Sequence, residues 1–146
     1  MCIRDSGNWC PFCNLTLKAW REQHMALKAA GAQLLFLTPE RPDESLDMRQ
    51  KHDLPFDVLT DDDCAIASSY GVAYDVGADM VESHAALGVK FAEINGNKDR
   101  TPKLPVPATI VVGKDGNVMF AHAKVEYKDR ADPSDVVKML QDKFSS

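Results

Sequence analysis

The chain has 146 residues, 45% of them hydrophobic and 27% charged; that size and balance suit one folded domain with a buried core and exclude long disorder. A formal net charge of −5 without a lysine or arginine cluster excludes a nucleic-acid surface, and no apolar run reaches the length that crosses a bilayer. Four cysteines, two of them in one Cys-x-x-Cys, exclude the disulfide framework of a secreted miniprotein. No cofactor is implied, and the expected location is the cytoplasm, with an exported form left open by an unusual N-terminus.

That N-terminus offers neither an apolar run nor an alternating pattern over residues 1–7. Residues 1–6 read as a non-native lead on a truncated chain, with Cys2 given no role and residues 7–146 forming the domain. The buried strand that normally presents a Cys-x-x-Cys helix is expected to be missing.

Trp9-Cys10-Pro11-Phe12-Cys13 runs straight into the helix-forming stretch 14–30. Cysteines three apart on a helix have Cβ atoms about 5–6 Å apart, close enough to alternate between dithiol and disulfide. The unpaired N–H groups and positive dipole end of a helix stabilise a thiolate over a thiol. Lowering a cysteine pKa from about 8.5 to roughly 6.5 is worth about 2.7 kcal/mol and makes most of the thiol anionic at pH 7. Cys10, at the lip of the helix, is assigned attack, and Cys13, one turn inward, resolution. Pro11 fits a first turn that needs no N–H from it. A structural zinc site would need two further ligands, and Cys2 and Cys64 are far apart in sequence; no metal is expected. A purely structural disulfide closing so short a loop would stabilise little.

After Gly31, a helix stop, residues 32–37 read as a buried parallel-type strand. Residues 43–52 form a short polar helix, and 56–59 a second strand. Asp61, Asp62 and Asp63 cap a helix over 64–70 closed by Gly71, with Cys64 as buried filler. Residues 72–96 are an insertion containing one amphipathic helix over 79–91, on which His84 reads as solvent-facing. Residues 97–105 are a loop. Strands at 109–113 and 118–124 are joined by a hairpin turn at 114–117, and Asp132-Pro133-Ser134 caps a last helix through 144.

This order, with a strand restored in front, gives an α/β thioredoxin-like fold: a central mixed sheet flanked by helices. The chain resembles the peroxiredoxin-like branch of the alkyl hydroperoxide reductase and thiol-specific antioxidant family, within the thioredoxin-like superfamily, over nearly everything after residue 6. The resemblance is carried by residues 7–15 around Trp9-Cys10-Pro11-Phe12-Cys13, by the stretch from Asp61-Asp62-Asp63-Cys64 to Val72, and by Leu104-Pro105-Val106-Pro107-Ala108-Thr109. Phe120-Ala121-His122 and residues 127–133 extend it.

The resemblance implies a thiol-dependent oxidoreductase, an antioxidant enzyme that reduces hydroperoxides or protein disulfides through a redox-active Cys10–Cys13 pair and is regenerated by an external thiol of the thioredoxin or glutathione type. It makes Val106-Pro107 the loop facing the pair, with a cis bond before Pro107 and a Val106 backbone open to an extended substrate; Trp9, Pro11 and Phe12 complete the substrate-binding set. The family includes homodimers, although no apolar stripe in this sequence marks an interface. The chain departs from the family pattern in having Gly7 three residues before Cys10, and Met119 where an arginine is frequent. Arg130 is read as a surface residue. Family alignments also permit the second cysteine as the attacking one, which leaves the roles of Cys10 and Cys13 exchangeable. The alternative from another class is a non-catalytic binding module whose surface around Trp9, Phe12 and Pro107 changes with the redox state of the pair.

Overall fold

A computed structural model describes residues 2–4, 7–95 and 101–144 of the chain. Residues 1, 5 and 6 of the expected lead, and 97–100 of the expected loop, lie outside the described residues.

The first half of the chain alternates strand and helix: β1 (Cys2–Arg4), α1 (Pro11–Ala29), β2 (Leu35–Thr38), α2 (Pro42–Lys51) and β3 (Asp57–Thr60). A short turn of 3-10 helix leads into α3 (Ala65–Ser69), and the middle holds β4 (Ala73–Asp75), α4 (Ala78–Ala86), α5 (Phe91–Ile94) and β5 (Lys103–Pro105). The hairpin β6 (Ala108–Val112) and β7 (Val118–Ala123) precedes α6 (Pro133–Phe144). The main sheet has the order β3-β2-β1-β6-β7. β1 and β3 both run parallel to β2, whereas β6 runs antiparallel to β1 and to β7. This is the thioredoxin-like mixed sheet expected from the sequence.

One expectation is corrected at its centre. Cys2–Arg4 occupies the middle of the sheet, with Ile3 opposite Phe36 on one side and Thr109 on the other. The segment is too short for a period-two pattern to register, so its strand character comes from two neighbouring ladders rather than from its own sequence.

α1 is amphipathic, burying Cys13, Thr16, Leu17, Trp20 and Leu27 at spacings of three, four and seven. Its buried face meets Phe36 of β2, Phe56, Val111 and the inner face of α6, namely Val136, Val137 and Leu140. Asp61 caps α3: its two carboxylate oxygens accept the backbone N–H groups of Ile66 (2.7 Å) and Ala67 (2.8 Å).

The middle segment departs most from expectation. Instead of one helix over 79–91 there are two, because Gly88 takes a left-handed conformation at φ +84° and turns the chain. The loop expected over 97–105 ends in β5, which pairs antiparallel with β4 through Tyr74 and Leu104. The two pieces enclose a second, smaller core of Val76, Phe91 and Leu104.

Candidate active site

The turn before α1 is built by Gly7, Asn8 and Glu40. Gly7 sits at φ +135°, and a Cβ there would fall 2.4 Å from Glu40 Oε1, so glycine is required by both conformation and space. Glu40, only 1% exposed, accepts the Asn8 N–H at 2.7 Å. The Cys10 N–H donates to the Gly7 carbonyl at 3.1 Å, and Asn14 Nδ2 donates to the Asn8 carbonyl at 3.0 Å. These bonds deliver Cys10 as the residue capping α1, with Pro11 as its first helical residue and no acidic side chain in the first turn. The positive end of the helix is therefore left to the sulfurs.

Both cysteines are thiols, buried to different depths: Cys10 is 7% exposed and Cys13 0%. Cys10 lies on the wall of a cavity of about 560 Å³, and Cys13 is not part of its lining. All five residues expected to bind substrate, Trp9, Pro11, Phe12, Val106 and Pro107, line this cavity.

Two features of the Val106-Pro107 loop differ from expectation. No cis peptide bond occurs among the described residues, so Pro107 follows a trans bond. The Val106 N–H donates to the Val72 carbonyl at 2.8 Å and so is not open to a substrate strand. The β4–β5 ribbon, which the sequence did not reveal, consumes that donor and continues its ladder by one residue.

The far wall comes from the middle segment. Trp9 packs edge-on against His84 and Phe91 with ring centroids 5.6 and 5.3 Å away. His84 is thus a half-buried wall residue rather than a solvent-facing one, its Nδ1 2.9 Å from the Met80 carbonyl. A carbonyl only accepts, so Nδ1 carries the proton of that bond. Tyr74, Met80 and Leu104 complete this side. Burial, and after it negative charge on Cys64 and then Cys10, raises the Tyr74 phenol above its ordinary value of 10.0. Cys64 itself is fully buried, its Sγ 3.5 Å from the Lys103 carbonyl, as a filler role requires.

The near wall follows β7. Tyr127 stacks edge-on against Phe12 at 5.2 Å, and Lys128 Nζ lies 5.7 and 5.6 Å from the Phe12 and Tyr127 ring centroids. Arg130 is no surface residue: its Nη2 is 3.8 Å from Cys13 Sγ, while its Nε donates to the Tyr127 carbonyl at 2.6 Å. Met119, at the position where an arginine was sought, packs against the main core instead. Sequence reasoning raised Arg130 as a more distant cation but favoured a surface role, because a single arginine in a polar loop has no periodicity to betray its target.

The site therefore holds a dithiol at a helix N-terminus, one sulfur facing an apolar cavity and the other beneath a guanidinium. A helix N-terminus favours the thiolate, the nucleophilic form of cysteine.

The family model of the AhpC/TSA family matches residues 6–121. No curated protein matches the chain in sequence. Among solved structures, the chain is similar to the peroxidoxin BcpB from Mycobacterium tuberculosis, with TM-score 0.73 and 12% identity over 99% of this chain and 79% of that one. It is similar to peroxiredoxin Q from Xanthomonas campestris, with TM-score 0.71 and 13% identity over 97% and 76%. A third similar structure is that of reduced Prx3 in complex with hydrogen peroxide from Vibrio vulnificus, with TM-score 0.71 and 10% identity over 95% and 77%. His122, Tyr127 and Arg130 lie beyond the stretch matched by the family.

Proposed function

Because this chain belongs to the AhpC/TSA family, we propose that it is a thiol-dependent peroxidase that reduces an organic hydroperoxide through Cys10 and Cys13. The observation that carries the proposal is the different setting of the two sulfurs: Cys10 on the wall of the apolar cavity, Cys13 buried under Arg130. The Cys10 thiolate attacks the terminal oxygen of the hydroperoxide, the O–O bond breaks, and the alkoxide leaves with a proton as an alcohol, giving a sulfenic acid on Cys10. Cys13, as thiolate, attacks that sulfur and displaces water, closing the Cys10–Cys13 disulfide. Two electrons from an external dithiol of the thioredoxin type, or from two molecules of a glutathione-type thiol, restore the pair.

A substrate with an apolar body is favoured over hydrogen peroxide by the lining, in which Trp9, Phe12, Met80 and Leu104 supply surface that a small polar molecule leaves uncovered. A protein disulfide is disfavoured by the Val106 N–H, already committed to Val72.

Mass spectrometry after one equivalent of an aryl-alkyl hydroperoxide tests the proposal: a Cys10–Cys13 disulfide is expected in the wild type and a sulfenic acid at Cys10 in Cys13→Ser. Cys10→Ser is expected to lower steady-state hydroperoxide turnover by about a thousandfold or more, as loss of a nucleophile does. The contact between Arg130 and Cys13 favours a second reading, in which Cys13 attacks and Cys10 resolves. Single-turnover hydroperoxide consumption that survives in Cys10→Ser and vanishes in Cys13→Ser would select that reading. Absence of consumption by the wild type would leave disulfide reduction, and absence of that activity too would leave a redox-responsive binding role.

A further inference from the structure

Arg130 reaches Cys13 from the loop after β7, and a side chain of that strand contacts the residue before it. His122 sits on β7, paired across the hairpin with Thr109, so its main chain is fixed by the sheet. Its Nε2 is 3.3 Å from the Asp129 carbonyl oxygen and 3.2 Å from Asp129 Oδ1. Both partners are acceptors, so Nε2 carries a hydrogen, and that one N–H is shared between the main chain and the side chain of the residue before Arg130. This does not require an imidazolium, since the neutral tautomer protonated at Nε2 makes the same bond.

From Asp129 the chain of constraints continues. The Asp129 N–H donates to the Glu126 carbonyl at 2.9 Å, folding residues 126–129 into a turn. Arg130 Nε donates back to Tyr127 within that turn, and its Nη2 is then directed at Cys13 Sγ. His122 and Arg130 also border the same small crevice together with Thr16 and Pro107. Tyr127 and Lys128 are packed on Phe12 at the cavity mouth, so the loop has a second attachment, but that attachment fixes the loop tip rather than the arginine.

We propose that His122 is a positioning residue: by clamping Asp129 at both its carbonyl and its carboxylate, it holds the guanidinium of Arg130 on Cys13 and thereby stabilises the thiolate form of that sulfur. The proposal rests on the thiol chemistry of the peroxidase reading but holds whichever cysteine attacks, since it concerns only the charge state of Cys13. An arginine on a flexible loop samples many orientations and lends a nearby sulfur a fraction of its charge; one anchored at the preceding residue lends it continuously.

The test uses the full chain with Cys2, Cys10 and Cys64 changed to serine, so that thiolate absorbance as a function of pH reports Cys13 alone. Arg130→Gln is expected to raise the Cys13 ionisation midpoint by about one pH unit, as loss of an adjacent cation does. His122→Phe, which keeps ring volume and removes the N–H, is expected to raise it by roughly half as much. His122→Gln, which restores an N–H donor, is expected to bring the midpoint back towards that of the parent. In the double variant His122→Phe with Arg130→Gln, no shift beyond that of Arg130→Gln alone is expected, because one residue acts through the other. His122→Ala provides a second measurement should the phenyl ring disturb the hairpin, with circular dichroism reporting the fold of each.

A midpoint unmoved by either His122 variant while Arg130→Gln shifts it would overturn the positioning role and leave the proposed peroxidase untouched. Equal, additive shifts from His122→Phe and Arg130→Gln would also overturn it, because His122 would then act independently. Failure of the peroxidase reading is seen elsewhere, in a wild-type chain that consumes no hydroperoxide.

Discussion

Two regions of unequal build meet at Cys10. The framework of α1, β2, the hairpin and α6 shares one core in which Leu17, Trp20, Phe36, Met48 and Leu140 are essentially inaccessible. Among the described residues of the middle segment, 72–105, the small core of Val76, Phe91 and Leu104 is joined by only two other buried residues, Asn95 and Pro105, and none of the residues of α4 is buried. The first region sets the position of the sulfurs; the second supplies most of the far wall that a substrate would touch. On the proposed function, chemistry rests on the part with the larger packing reserve, and recognition on the part that can open at lower cost. That division predicts that stability and substrate affinity respond to different mutations.

The largest stability effect is expected in the framework. Trp20→Ala should cost about 3–5 kcal/mol, the range for truncating a large buried aromatic, measured by urea unfolding. A loss below about 1 kcal/mol would mean that α1 does not depend on this core.

Gly7→Ala should come next, at roughly 1–3 kcal/mol for strain and overpacking against Glu40. Because Gly7 leads into the turn that presents Cys10, turnover should fall with it. Unchanged unfolding and unchanged kinetics in that variant would remove the steric account of the turn.

Phe91→Ala breaks the comparison from the other side. KM for a bulky hydroperoxide should rise about tenfold, equivalent to about 1.4 kcal/mol, with kcat for bound substrate little altered and the global unfolding midpoint moved less than by Trp20→Ala. Amide exchange should accelerate mainly over residues 78–94. A uniform loss of protection across the sheet would instead join the two cores into one unit.

The smallest effect is spectroscopic. Tyr74 should ionise above its ordinary value of 10.0 in an alkaline titration, because burial and then the neighbouring sulfurs oppose its phenolate. The phenol is neutral when the fold holds it, so its contribution is fully present below the ordinary value of 10.0 and is lost as pH rises through the higher folded value. Cys10→Ser should bring the titration slightly down. A Tyr74 that titrates at its ordinary value would mean that the wall is open to water.

The parts legible in sequence were those governed by near neighbours. The Cys-x-x-Cys with Pro11 marked the start of α1, and Asp61 marked the start of α3. Trp9, Pro11, Phe12, Val106 and Pro107, distant in sequence, line one cavity with Cys10. β1, β4 and β5 were not legible, for each has three residues and a pattern that short does not differ from loop. The state of the Val106 N–H was misread for the same reason, since its acceptor belongs to a ribbon that no local pattern announces.

Sequence by itself determined that two cysteines share the first turn of a helix and that this helix belongs to an α/β thioredoxin-like framework, because capping, periodicity and dipole act within a turn or two of the chain. Only the tertiary structure decided which sulfur faces the cavity, that His84 and Phe91 stand behind Trp9, and that Arg130, 117 residues from Cys13, supplies its cation. Contacts at such separation follow from how sheets and loops close around a common core, and the residues that make them carry no signature of their partner until the chain has folded.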